Sequence, residues 1–501
     1  MATESPDSWY EGLAHAMPGA FGLPQRLIFL TALLVLLIAL NLIAPAHLTP
    51  AERALGTAIV VLSAFPSWLW LSGRDRGIPF MPFYGMVFTA YFGIPIFAMQ
   101  DFSVMWSSAP VPNDLVTRAL ELTVLGLLLV YLGYYGPQSL VLSELMPRAS
   151  MRWKHAGTLK FWGIAFGAGG LLIFGILHLL RLPSGLREPI VFAADLCLVG
   201  VCILFVLQLT GRLDRLTTLF LWLVLVPARL LLGFGTGSTA QGLEFALTLL
   251  LVYSAVRRRM PWKLLLFSGL AFVVLRPAEG TFRMIAWAGG PMEKASQAQK
   301  IQLFIRVTSY TTKSLLEGQS ASSNPVVQMA MHRLGADVMA FAAVVHDTPG
   351  VVPYWGGATY YPLLFKFVPR LIYPDKPEET SGQTFGHRYG LIDAGNSWTA
   401  YNLPQIVELY ANFGVVGVVV GMFLFGMFYR AILSIFVHAG MGTGALIGAI
   451  YMAAQLIAIE SATSLMIGDV IWGLIYLALI NLVVQSGETH QAPLQVGQSS
   501  V

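Results

Sequence analysis

Apolar residues form long uninterrupted runs along this chain, and polar residues collect in the segments between them. A helix that crosses a bilayer needs about 20 mostly apolar residues, because it must satisfy its backbone polar groups internally. The pattern predicts an all-α, polytopic membrane protein. Twelve runs predict transmembrane helices, at roughly 27–44, 54–72, 80–99, 114–136, 159–180, 190–210, 216–234, 239–256, 262–276, 412–437, 442–459 and 465–485.

Lys and Arg in the short connections predict how these helices are oriented. One set of alternate connections holds Arg74, Arg148, Arg212 and the run Arg257–Arg259, while the other set holds few basic residues. Short cytoplasmic loops retain Lys and Arg, so both termini are predicted in the cytoplasm of a bacterial inner membrane. The predicted organisation is nine helices within 1–276, a periplasmic loop over 277–411, three helices within 412–485 and a cytoplasmic tail over 486–501.

Composition agrees with a membrane protein and argues against several other classes. Hydrophobic residues make up 56% of the chain and charged residues 11%, against roughly 25% charged in soluble domains. The 30 Lys and Arg nearly balance the 26 Asp and Glu, which does not suggest a nucleic-acid partner. No Asp-x-Asp, Cys/His cluster or His-Glu-x-x-His motif is present, so neither a metal nor another cofactor is expected.

The predicted external loop, 277–411, carries ten basic and ten acidic residues and most of the candidate chemistry. Its pattern predicts a helix over 297–318 and a second over 325–346, with Asn324 as the cap and Pro325 at the first helical position. Three prolines within Pro369–Pro377 fix backbone angles and would hold nearby charged side chains on a stiff support.

The order of several loop features resembles that of the Wzy-like polysaccharide polymerases. These features are Arg333 in a helix, the stretch Gly356–Tyr360, Val368-Pro369-Arg370 followed by Pro374–Pro377, and Glu408–Gly414 entering the next helix. The family consists of membrane enzymes that join lipid-linked repeat units into O-antigen or exopolysaccharide. The resemblance covers roughly residues 325–430 at the level of motifs.

This resemblance implies a GT-C-like, metal-independent glycosyltransferase. The donor would be the growing glycan on undecaprenyl pyrophosphate, and the acceptor a new lipid-linked repeat unit. A sugar hydroxyl would attack the anomeric carbon, and the lipid pyrophosphate would leave. The bilayer and a chain-length regulator are the further partners that this activity implies.

Site residues follow from the charge that such a reaction develops. The departing pyrophosphate needs fixed cations, for which the planar fork of Arg is well shaped. Glu408, just before a returning helix, is the first candidate for the base, with Asp375 and His387 as alternatives. Arg370 is the candidate catalytic cation. The candidate substrate-binding residues are Arg333 first, then Lys376, Arg306, Arg276 at headgroup depth, His387, Arg388 and Tyr410.

Four charged residues fall inside apolar runs: Asp195, Arg229, Glu244 and Asp469. Such charges are costly in a membrane and are retained for a partner or a polar cavity, and Arg229 with Glu244 could form a pair. Two other functions remain open. A transporter that flips a lipid-linked sugar shares the plan of twelve helices, and an O-antigen ligase shares the donor and differs only in the acceptor.

Overall fold

The computed structural model describes most of the chain as helices joined by short connections. Within the described residues there is no strand. At several helix ends, and over 325–334, only the backbone is described. The described residues are 22–75, 77–98, 113–179, 190, 193–235, 239–268, 278, 282, 285–286, 290–316, 325–366, 368, 372–373, 375–376, 379–392, 394–396, 400–438 and 440–490.

The helices fall into three groups along the chain. Before the large loop lie α1 Leu23–Ile43, α2 Pro50–Leu71, α3 in three continuous parts (Phe80–Phe88, Thr89–Gly93, Ile94–Ala98), α4 Asn113–Tyr135, α5 Pro137–Leu145, α6 Ala156–Leu179, α7 Leu196–Leu209, α8 in three parts (Arg215–Phe220, Leu221–Leu225, Val226–Gly235) and α9 Thr239–Arg257. Within the loop lie α10 Gln297–Leu316, α11 Pro325–Asp347, the 3₁₀ helix Ala358–Phe365 and α12 Ser381–Arg388. After it come α13 Gln405–Phe436, α14 Thr443–Leu456 and α15 Thr463–His490.

Eight of the described helices are long and apolar enough to cross a membrane, so this is a helical membrane protein. Two further apolar helices, α7 and α14, have 14 residues each. At 1.5 Å per residue each is about 21 Å long, shorter than the roughly 30 Å hydrocarbon core of a bilayer. Each is therefore too short to cross that core as a single straight helix.

Most predicted helices agree with the observed ones to within a few residues, and both helices expected inside the loop are present as α10 and α11. The ninth predicted span, 262–276, lies outside the described residues beyond 268. The tenth differs most, because α13 begins at Gln405 rather than near 412. The residues that enter it were therefore predicted as loop but are helical.

Helix α13 is a hairpin of two limbs that reverses at Gly414. Gly414 has φ 63° and ψ −147°, a backbone conformation that side chains disfavour. The hydroxyl of Tyr429 donates to Gln405 Oε1 at 2.5 Å, although these residues would be about 36 Å apart in a straight helix. A Cβ added to Gly421 would meet the Leu409 side chain at 2.2 Å. The limb 405–413 therefore folds back along 415–436.

Close packing holds this hairpin in the centre of the molecule. A Cβ at Gly133 of α4 would lie 2.1 Å from Phe423 O, and one at Gly426 would lie 2.1 Å from Val130 O. Small residues thus bring the backbones of α4 and α13 into contact, as is common between membrane helices. Helix α11 also enters this core, since its residues 338–344 are buried. The loop is therefore partly built into the bundle.

A polar network surrounds Asp75 in the α2–α3 connection, at the end of the bundle away from the large loop. Asp75 Oδ1 accepts from the Gly77 N–H at 3.1 Å, and Oδ2 accepts from the Tyr135 hydroxyl at 3.1 Å. Arg258 Nη1 donates to Gly77 O at 2.9 Å, and Arg430 is close enough to Asp75 to interact with its charge. This network fastens α2, α4, α9 and α13 to one another.

Candidate functional site

Two carboxylates meet at the N-terminus of α15. The Thr463 N–H donates to Glu408 Oε2 at 2.7 Å, and the Ser464 hydroxyl donates to Glu379 Oε2 at 2.9 Å. The first N–H groups of a helix have no partner within it, and the helix dipole places partial positive charge there. This explains why two acidic side chains from distant parts of the sequence can lie side by side.

Glu408 lies in the first turn of α13 and is fully buried. Within the described part of the chain, its Oε1, Thr463 Oγ1 and the Tyr360 hydroxyl make no hydrogen bond of good geometry, but they lie close enough to interact with one another, and Thr359 also interacts with Glu408. Thr463 and Tyr360 thus lie around the Glu408 carboxyl. Buried polar atoms gathered in this way are suited to bind a water or a hydroxyl.

Burial raises the pKa of Tyr360, and the nearby Glu408 adds to the effect. Tyr360 therefore stays protonated and keeps a hydroxyl hydrogen to donate. Its ring lies parallel to Phe413, with 6.2 Å between ring centroids. The ring contact helps to hold the Tyr360 side chain close to Thr463 and Glu408.

The segment 354–359 caps the short limb of α13 and positions this tyrosine. The Trp355 N–H donates to Ala411 O at 3.1 Å, and the Gly357 N–H donates to Asn412 Oδ1 at 2.8 Å. Asn412 Nδ2 in turn donates to Thr359 Oγ1 at 2.8 Å. The reversal at Gly414 leaves helix carbonyls without intrahelical partners, and the segment satisfies them.

Glu379 is held by three groups and is partly exposed. Lys366 Nζ lies 3.2 Å from Oε2, and the Ser381 hydroxyl donates to Oε1 at 2.5 Å. Lys366 is itself fixed, because its backbone carbonyl accepts from Trp472 Nε1 at 3.0 Å and its stem lies against Gly468. The site thus contains a cation with a defined position next to a carboxylate.

An open pocket of about 280 Å³ lies directly beside this pair. Its lining comes from residues of 379–383, 400–403 and 460–465, so Glu379 is at its wall and Glu408 is behind it. Glu460 also lines the pocket and accepts from Asn402 Nδ2 at 2.7 Å. Carboxylates, amides and hydroxyls around an aromatic ring, Tyr401, are suited to the hydroxyls of a sugar.

The structure separates the predicted acid–base candidates. Glu408 was expected just before a returning helix, but it lies inside α13, is fully buried and is not part of the pocket wall. Asp375 is exposed, and His387 is half-buried in α12. Of these three, only Glu408 lies in the carboxylate cluster, because the hairpin at Gly414 carries it inward.

The predicted cations have diverse surroundings. Lys376 is 9% exposed and its Nζ donates to Val368 O at 3.2 Å, while Arg306 is exposed on α10. The exposed Arg388 donates to Pro353 O at 3.2 Å and lies 4.7 Å from the centre of the Trp355 ring. Tyr410 packs on Phe341, with 5.9 Å between ring centroids.

For three of the predicted cations, the structure does not describe the side chain. Arg276 and Arg370 lie outside the described residues. Arg333 lies in α11, where only the backbone is described at that position. Their roles remain predictions.

The four charges predicted inside the membrane lie in one region. Asp195, Glu244 and Asp469 interact electrostatically with one another, and Arg229 interacts with Asp195 and Glu244. Tyr451 donates to Asp195 Oδ2 at 3.1 Å. Arg229 lies 4.1 Å from the centre of the Phe174 ring, and its buried Nη1 has no hydrogen-bond partner among the described residues. It is thus shared between two carboxylates rather than bonded to Glu244.

These intramembrane charges connect to the pocket through Lys366, which interacts electrostatically with Asp469. Within the described part of the chain, no three His, Cys, Asp or Glu side chains are arranged as a metal site requires.

Sequence reasoning missed Glu379, Lys366 and Thr463. Glu379 follows the proline-rich segment and Lys366 precedes it, but nothing in their spacing distinguishes them from other loop charges. Thr463 lies more than 50 residues beyond Glu408. The one available signal was the start of an apolar helix at Thr463, since helix N-termini attract carboxylates.

A comparison with known families accounts for most of the chain. A family model described as a domain of unknown function (DUF8712) matches residues 171–490. The chain belongs to this family. The matched region includes the pocket, both carboxylates and the α13 hairpin. No curated protein and no solved structure matches the chain.

Proposed function

We propose that this protein is a membrane glycosyltransferase that joins undecaprenyl-pyrophosphate-linked oligosaccharide repeat units into O-antigen or exopolysaccharide. The observation that carries the proposal is the polar pocket of about 280 Å³ with Glu379 in its wall and Glu408 behind it. A carboxylate at a concave polar site suits the removal of a proton from a sugar hydroxyl.

In the proposed reaction the acceptor sugar occupies this pocket. Its hydroxyl oxygen attacks the anomeric carbon of the donor glycan, and a new C–O bond forms. The bond between that carbon and the pyrophosphate oxygen breaks, and undecaprenyl pyrophosphate leaves with the electron pair. Glu379 takes the hydroxyl proton because it lines the pocket, and Glu408 lies behind it, close enough for the two carboxyl groups to interact. No metal is required for this sequence of steps.

The leaving pyrophosphate needs positive charge on the other side of the reacting carbon. Lys366 is paired with Glu379 at 3.2 Å, on the side of the proposed base, so it is not assigned to the pyrophosphate. Arg370 and Arg333, followed by Lys376, are the cations proposed for that role. Fixed cations at the point where charge develops stabilise a transition state without reorganisation.

The proposed setting is the bacterial inner membrane, with twelve spans in a GT-C-like arrangement and the pocket on the periplasmic side. The opposite end of the bundle carries Arg148, Arg212, Arg257 and Arg258, which supports cytoplasmic termini. A chain-length regulator is the further partner that such a polymerase would use.

The direct test incubates the purified protein, in lipid nanodiscs, with a lipid-linked repeat unit. We expect a ladder of longer products. Transfer to a single acceptor would instead indicate a ligase, and no covalent change would indicate a transporter. Glu379→Gln should reduce the rate by about 100-fold or more, as loss of an acid–base group does. Glu293→Gln, an exposed glutamate outside the pocket, is the matched control.

A further inference from the structure

The pocket beside Glu379 has a negative lining, and this points to the charge of its ligand. Of its lining residues, Glu379 and Glu460 are acidic and none is Lys, Arg or His. Lys366 balances the charge of Glu379 from behind the wall. Glu460 has the neutral amide of Asn402 as its partner, and no ion pair with it exists among the described side chains. The uncompensated charge in the pocket is therefore that of Glu460.

We propose that this pocket selects an acceptor sugar without negative charge, an uncharged or amino sugar, and that Glu460 excludes uronic acids. The inference rests on the proposed function, which makes a sugar the ligand. A carboxylate on the sugar would lie within the same pocket as Glu460, and like charges at such distances repel. An ammonium group would be attracted by the same charge.

The pocket is suited to discriminate because its walls are fixed. Tyr401 donates from its hydroxyl to Ala336 O at 3.2 Å and packs on Phe385, with 6.0 Å between ring centroids. The Tyr401 N–H also donates to Gly382 O at 3.1 Å, which joins two sides of the pocket. The volume of about 280 Å³ is below the roughly 300–1,000 Å³ of pockets for drug-sized ligands, so one sugar unit suffices to fill it.

Among the described residues, no other contact of Glu460 requires a carboxylate. It lies in the connection between α14 and α15, where the backbone is already held by the Gln405 N–H donating to Ile459 O at 3.1 Å. Glutamine at this position can keep the hydrogen bond from Asn402 while removing the charge. Glu460→Gln therefore tests the effect of the negative charge without removing the hydrogen bond from Asn402.

The test measures sugar binding to the full-length protein in nanodiscs by saturation-transfer NMR at pH 7. The probes are methyl glycosides of the gluco, galacto and manno series, each as the neutral sugar, the 2-amino sugar and the uronate. In any series whose neutral form binds, we expect the uronate to bind at least about tenfold more weakly. Glu460→Gln should reduce this difference several-fold, and Glu293→Gln should leave it unchanged.

Equal binding of neutral sugar and uronate would overturn the inference, as would retention of the full preference in Glu460→Gln. Absence of binding by all nine probes would also overturn it, because the pocket would then not hold a sugar. Polymer formation is measured separately on the same preparation. A ladder without charge preference refutes the inference alone, while charge preference without any covalent product refutes the proposed function alone.

Discussion

Each end of the helical bundle buries a carboxyl group, and the two groups differ in how they are satisfied. Asp75 accepts one hydrogen bond at each oxygen, from Gly77 and from Tyr135, and has two arginines nearby. Glu408 accepts from Thr463 at one oxygen, while its other oxygen has no partner among the described residues. One group is complete within the protein, and the other is incomplete and lies behind a pocket.

An unpaired buried carboxylate oxygen indicates a functional site only when the groups around it support that role. Glu52 is also buried with one unpaired oxygen, but its other oxygen completes the capping box at the start of α2, and it does not line or back the pocket. Glu408 adjoins two further unpaired groups, Thr463 Oγ1 and the Tyr360 hydroxyl. Convergence of several buried polar groups behind the pocket wall distinguishes the candidate site from a local structural role.

The largest effect is expected from Gly414→Ala, which would disrupt the hairpin that carries Glu408 to the candidate site. A Cβ there would lie 2.6 Å from the Tyr354 hydroxyl, on a backbone with φ 63°. Left-handed strain and overpacking together should cost about 2–5 kcal/mol. Thermal unfolding in detergent measures this, with Gly157→Ala as the control because nothing lies within 4 Å of its new Cβ. An unchanged transition would contradict the hairpin geometry.

The next effect is expected from Glu408→Gln, which removes the charge and keeps an oxygen to accept from Thr463. Protein folding should be retained, while polymer formation per folded molecule should fall by about 10–100-fold, because the carboxyl group that lies beside Glu379 is replaced. The ladder assay and thermal unfolding are measured together. Wild-type activity in this variant would place Glu408 with Asp75 as a structural group.

Asp75→Ala should have the opposite signature. It leaves the Gly77 N–H and the Tyr135 hydroxyl without their acceptor, which should cost about 1–2 kcal/mol of stability. Polymer formation per folded molecule should not change, because the pocket is at the other end of the bundle. A loss of activity without a loss of stability would show that the two ends do not have the separate roles argued above.

The smallest effect is the pH dependence of the Asp75 network. Burial raises the pKa of Asp75 from its usual 3.8, and this outweighs the opposing hydrogen bonds and arginines. The folded state therefore favours the protonated form. Stability of the wild type relative to Asp75→Asn should be highest below the usual pKa and should fall as pH rises through the raised value. A difference that is constant or grows between pH 3 and 7 would contradict this sign.

Particular residues show how far the sequence could predict the site. Glu408 was predicted from its place before a returning helix, and the structure brings it to the candidate site, although deeper than expected. Glu379 was not predicted, because a glutamate after a proline-rich segment has no distinctive spacing. Asp375, in the same segment, was predicted and is exposed. Side chains a few residues apart on irregular backbone point in different directions, which no periodic pattern records.

The sequence by itself determined that this protein is helical and lies in a membrane, because the length and apolarity of a segment decide whether it can leave water. It also predicted the helices of the loop, because their periodicity is local, while the predicted cap Asn324 lies outside the described residues. Only the tertiary structure decided that α13 reverses at Gly414, that α11 enters the core and that Thr463 and Ser464 bring Glu408 and Glu379 together. These contacts join residues separated by tens of positions, so their energies depend on packing between helices rather than on any local pattern.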